Sequence, residues 1–186
     1  MSTEDMHGLV ADVASTPSVW GWDTLWTPLV SGEDTAGRYS ILEQLLARTA
    51  GPPPHVHVRS DEVFYLLDGV VRVQLGESVF DAHAGQLVRV PRNTPHGFAV
   101  VSETARFLNF YAPAAVDQMI AALSTPATEK RLPTAADQKP PSDQQQAAYR
   151  DRLVDLESQV WTGQADLLTE YRDAAAGFKP GGPTSS

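Results

Sequence analysis

Four side chains have the types and the spacing to do chemistry together: His55, His57, Glu62 and His96. Three lie in the run Gly51-Pro-Pro-Pro-His55-Val-His57-Val-Arg-Ser-Asp-Glu62, with Gly69 beyond it. The fourth closes Gly85-Gln-Leu-Val-Arg-Val-Pro91-Arg-Asn-Thr-Pro-His96. On an extended strand, residues two apart point to the same face, so His55 and His57 project as a pair. Three imidazoles and one carboxylate that meet in space can hold a divalent transition metal. Nickel, cobalt, iron, manganese, copper and zinc all accept such donors, and affinity alone does not rank them. The set leaves one or two positions open on an octahedral ion, where substrate or dioxygen could bind; a purely structural site would be closed. Isolated histidines usually have no such role. His7, in a polar leader, and His83, in an expected turn, are read as ordinary surface residues.

The elements that must carry these side chains are short strands broken by turns. Residues 24–31 read as a strand, followed by the turn Gly32-Glu-Asp-Thr. Residues 37–47 also fit a helical stripe through Ile41, Leu42, Leu45 and Leu46. Gly37 and the Gly-Pro-Pro-Pro run bound this segment, and its neighbours are strands, so it is assigned as strand. Asp68-Gly69 predicts a two-residue hairpin that pairs Leu67 with Val70 and Phe64 with Val73. That register puts Glu62 on one face with Phe64, Leu66, Val71, Val73 and Leu75, so the carboxylate points into an apolar interior. Residues 79–82, 86–90, 97–102 and 105–112 complete a set of about eight strands. Their regular spacing argues a sandwich or barrel. Trp20, Trp22 and Trp26 are assigned to core or edge packing.

This arrangement resembles the two sequence motifs of the cupin superfamily. Gly51, His55, His57, Glu62 and Gly69 match the first motif; Gly85, Pro91 and His96 match the second. The chain departs from the pattern at Asn93, where the family usually has Gly, and at Val100, where it often has Asn. Asn tolerates the left-handed backbone that Gly would supply. The resemblance covers about residues 25 to 112 and implies a mostly β fold, a single jelly-roll barrel. Residues 35–76 look most similar to the monocupin quercetin 2,3-dioxygenases (flavonol 2,4-dioxygenases), including bacterial ones that prefer nickel or cobalt. The resemblance then implies one divalent metal per chain, nickel or cobalt before iron, manganese or copper. Its partners would be a flavonol and dioxygen. Quercetin would bind through its 3-hydroxyl oxygen, Glu62 would take the proton, and ring cleavage would release carbon monoxide and a depside. Tyr39, Phe98 and Phe107 are candidates to line a flat apolar slot, with core packing as the alternative for each. One fold hosts many functions, so a metal-binding cupin of another class, an isomerase or a non-catalytic small-molecule binder, is the second expectation.

The bulk properties bound the rest. A net charge of −9 and a pI near 4.9 argue against nucleic acid and anionic membranes as partners. There is no cysteine, hence no disulfide and no thiolate ligand. No apolar run approaches the ~20 residues of a membrane span. The acidic opening residues are unlike a secretory signal, so a cytoplasmic location is expected. The expected organisation is a leader over 1–20 with a helical turn at 10–14, the barrel over 21–113, a helical extension over 114–178 and a disordered tail over 179–186. Within the extension, a short helix is expected at 116–123 and a longer one at 143–175. Leu153, Leu156, Val160, Leu167 and Tyr171 form the stripe of the longer helix, which would pack on the barrel or pair with its copy in a homodimer.

Overall fold

The computed structural model describes residues 8–52, 54–137, 142–145, 147 and 160–161. Ten strands precede helix α1: β1 (Val19–Gly21), β2 (Thr24–Val30), β3 (Ser40–Ala47), β4 (His55–Val56), β5 (Asp61–Asp68), β6 (Val70–Leu75), β7 (Ser78–His83), β8 (Leu87–Val90), β9 (His96–Val100) and β10 (Thr104–Ala112). Helix α1 (Val116–Leu123), β11 (Thr125–Pro126) and β12 (Val160–Trp161) follow. The strands form two antiparallel sheets. The larger runs β11-β1-β2-β3-β10-β5-β8 and the smaller β12-β4-β9-β6-β7.

The inward faces follow from alternation. On β5 the buried residues are Glu62, Phe64 and Leu66; on β6 they are Val71 and Val73. One apolar cluster joins the sheets. Leu46, Phe64, Leu66, Val88, Val90, Ala105 and Phe107 come from the larger, and Val71, Val73, Ala82, Phe98 and Val100 from the smaller. Each large side chain so buried stabilises the fold by roughly 1.5–3 kcal/mol. A second cluster packs α1 against the larger sheet. There α1 lays Val116, Met119 and Ile120 against Trp26, Leu42 and Tyr111. The helix is tied down where the Asp117 carboxylate accepts the Gly32 N–H at 2.8 Å.

Strand assignment at 37–47 and the helix at 116–123 agree with the sequence reading. The Asp68-Gly69 hairpin does not. β5 pairs with β10 and β8, while β6 pairs with β7 and β9, so Leu67–Val70 and Phe64–Val73 are not paired. Gly69 carries the chain from one sheet to the other. Its φ is +83°, whereas Asp68 is not left-handed, and a type I′ turn needs both. A Cβ on Gly69 would lie 2.4 Å from the Thr104 carbonyl oxygen, so only glycine fits this crossing. The inward faces were still foreseen because residue parity survives the change of partner.

Three smaller differences concern the flanks. Val19 and Trp20, placed in the leader, join the larger sheet between β2 and β11. The turn expected at 10–14 falls slightly later, with the Thr16 N–H bonded to the Asp12 carbonyl. Trp20 and Trp26 are buried, but Trp22 is 52% exposed. It occupies the two-residue turn between β1 and β2 with Asp23, both at positive φ. Val160–Trp161, inside the expected long helix, is instead a strand antiparallel to β4. β-branched and aromatic residues suit that role, and the pairing covers an edge that β4 would otherwise leave open. Apart from residues 143–145 and 147, the rest of that helix and the tail fall outside the described residues. No described helix is long and apolar enough to cross a membrane.

Candidate metal centre

The four candidate ligands come together from both sheets. β4 and β9 pair with His55 opposite His96, which brings their rings to 4.3 Å between centroids. His57 follows β4. Glu62 faces them from β5 in the larger sheet. All four are buried, at 3%, 1%, 3% and 2% exposure for His55, His57, Glu62 and His96. One ligand atom from each lies within 4.8 Å of every other.

The turn between β8 and β9 sets two of these positions at once. Asn93 has φ +62°, the left-handed conformation that its side chain tolerates. Its N–H donates to the His57 carbonyl at 2.8 Å, which pins the backbone of one ligand. Thr94, next along, offers its carbonyl oxygen to His96 Nδ1 at 2.9 Å. That bond puts the proton on Nδ1 and turns Nε2 inward.

Inside, Glu62 Oε2 lies 3.1 Å from His57 Nε2 and 3.0 Å from His96 Nε2. His55 Nε2 is 3.3 Å from His57 Nε2. Lone pairs this close repel unless something positive lies between them. Since His96 Nδ1 already carries a proton, a further proton on Nε2 makes the ring an imidazolium. The cluster therefore needs either added protons or a cation. A divalent metal fits the donor set, because the nitrogens are soft enough and the one carboxylate offsets half its charge. Burial pushes the Glu62 carboxyl up, but hydrogen bonds from His57 and His96, and their charge, outweigh it and hold it well below the usual range. Glu62 is thus a carboxylate at neutral pH.

Two residues of the site were not foreseen. Asn109 Nδ2 donates to Glu62 Oε1 at 2.6 Å and lies 2.8 Å from the Tyr111 hydroxyl. Tyr111 sits opposite Glu62 across the β10–β5 ladder and meets the His57 ring edge-on at 5.6 Å. Burial and then the Glu62 charge push its phenol well above the usual value, so it stays neutral. The available signal was alternation. Ala105, Phe107, Asn109 and Tyr111 share one strand face, and a fully buried Asn among apolar neighbours needs a partner.

The three aromatic candidates are placed differently. Phe98 lies two residues along β9 from His96, and Phe64 two residues along β5 from Glu62. Their rings meet at 5.8 Å beside the ligands. Phe107 is wholly buried against both, 5.2 Å from Phe98. Tyr39 is half-buried and stacks on Phe110 at 5.3 Å. Phe110 alternates with Asn109 and Tyr111, so this stack lies on the outer side of the larger sheet, away from the ligands.

Residues 42–111 match the family model described as the cupin domain. No curated protein matches the chain. Among solved structures, a predicted oxalate decarboxylase from Thermotoga maritima is similar at 16% identity and a TM-score of 0.52, covering 56% of this chain and 99% of its own. An RmlC-like cupin from Shewanella frigidimarina is similar at 17% identity and a TM-score of 0.51, covering 60% and 96%. These likenesses concern the fold. The described residues form a mostly β fold with a cupin domain over residues 42–111, whose interior holds a buried cluster of three histidines and one glutamate that could hold a metal ion.

Proposed function

We propose that this protein is a metal-dependent dioxygenase that opens the heterocyclic ring of a flavonol such as quercetin. The observation that carries the reading is a buried carboxylate whose Oε2 stands 3.1 and 3.0 Å from two of three inward-facing imidazoles. His55, His57, His96 and Glu62 would hold one divalent metal, nickel or cobalt by resemblance. When bound, that metal supplies a Lewis acid with positions open to substrate oxygen and dioxygen. Glu62 contributes a base at neutral pH, and its Oε2 faces the space between the histidines. A flavonol 3-hydroxyl brought beside Glu62 would give up its proton to the carboxylate, which turns the ring into an electron-rich flavonolate. Phe64 and Phe98 pack on each other beside Glu62 and His96 and would keep water from them. Metal-loaded protein given quercetin in air should release carbon monoxide as the flavonol absorbance falls. Loaded protein that binds quercetin yet neither consumes dioxygen nor releases carbon monoxide rejects the proposal.

The placement of Phe98 and Phe107 favours a second reading. Both are committed to core packing, at 4% and 0% exposure. An isomerase or a small-molecule binder built on the same metal needs no flat aromatic slot. Turnover or tight binding of a non-aromatic ligand, without dioxygen uptake, would select it.

A further inference from the structure

We infer that Asn109 is a positioning residue that fixes Glu62 so that only Oε2 is offered to the metal. The inference rests on the metal-centre reading and adds a residue to it. Glu62 has two oxygens with opposite surroundings. Oε2 faces His57 and His96, while Oε1 receives the Asn109 amide N–H at 2.6 Å. A carboxylate held by one oxygen cannot rotate to present both.

The orientation of the Asn109 amide supports this role. Its other atom, Oδ1, is buried and has no hydrogen-bond partner among the described residues. Turning the amide over would set Oδ1 against the carboxylate oxygen, two acceptors in contact. The fold thus leaves one buried acceptor unpaired and keeps a donor on Glu62. Tyr111 backs the arrangement, with its hydroxyl 2.8 Å from Asn109 Nδ2 and its ring against His57. Asn109 and Tyr111 both come from β10, the strand that pairs with β5 along the length that carries Glu62. Residues that orient metal ligands in this way typically change metal affinity about 10–100-fold when removed.

The test compares wild type with Asn109→Ala and with Asn109→Leu, which fills similar volume without a donor. Cobalt binding is followed by titration and by the visible absorption of the bound ion, which reports coordination number. Both variants should bind cobalt roughly 10–100-fold more weakly and with an altered spectrum, while their metal-free melting curves show a folded protein. Wild-type affinity and spectrum in a folded variant overturn the role of Asn109. One measurement needs no variant: in zinc-loaded wild type, the Asn109 side-chain amide protons should remain slow to exchange by NMR. Fast exchange on zinc binding would mean that Glu62 has left Asn109, and overturns the inference as well. A wild-type protein that takes up neither cobalt nor zinc removes the metal reading itself, an outcome distinct from these.

Discussion

A carboxyl group with 3% of its surface exposed would ordinarily keep its proton, yet Glu62 is ionised because two imidazole nitrogens stand at 3.0 and 3.1 Å from one oxygen. The sign of its effect on stability follows. The folded-state value lies below the unfolded one near 4.5. The stabilisation is therefore present above that pH and is lost as pH falls through the lower folded value. In metal-free protein, wild type should lose stability on acidification below about pH 4.5 more steeply than Glu62→Gln, measured as melting temperature against pH. Parallel curves would mean that Glu62 is not ionised in the fold. In metal-loaded protein the same substitution removes the base and should slow flavonol turnover by a factor on the order of 10²–10⁴. Full turnover by loaded Glu62→Gln would put the proton elsewhere. The clustering of the four candidate ligands was legible from sequence because they lie in two short runs of fixed spacing. Asn109 and Tyr111 were not, because their role depends on β10 pairing with β5 some 47 residues earlier in the chain.

At the scale of elements, local signals were right where local geometry decides. Asn93 is left-handed as its place in the second motif required. Alternation put Glu62, Phe64, Leu66, Val71 and Val73 inside. The Asp-Gly signal failed because a turn can join two sheets as easily as two paired strands, and nothing within a few residues of Gly69 distinguishes the cases. What does distinguish them is distant: the Thr104 carbonyl and Ser102 hydroxyl that crowd Gly69. Gly69→Ala combines a left-handed φ with a Cβ only 2.4 Å from that carbonyl oxygen. It should cost at least about 1–3 kcal/mol and lower the melting temperature by several degrees. The same substitution at Gly76 has a left-handed φ but open space around it, and should cost less. Equal melting temperatures for the two variants would contradict the crossing role of Gly69.

For the whole molecule, the candidate metal site is a joint between sheets: histidines from β4, its following residue and β9 on one side, and Glu62 from β5 on the other. β12 pairs with β4 beside His55, so residues beyond α1 buttress the ligand-bearing edge. Deleting residues 143–186 should then lower both the melting temperature and the metal affinity; an unchanged melting curve would make the segment an appendage. The sequence pattern could not foresee this buttress, since β12 is only two residues long and lies within a helical pattern. The most direct test of the central claim is metal content. Purified wild-type protein, stripped and reloaded with cobalt or nickel, should retain about one ion per chain, while His57→Ala and His96→Ala retain little, because no neighbouring donor can replace an inward Nε2. No retained ion in wild type, or near-stoichiometric metal in both variants, would contradict the account.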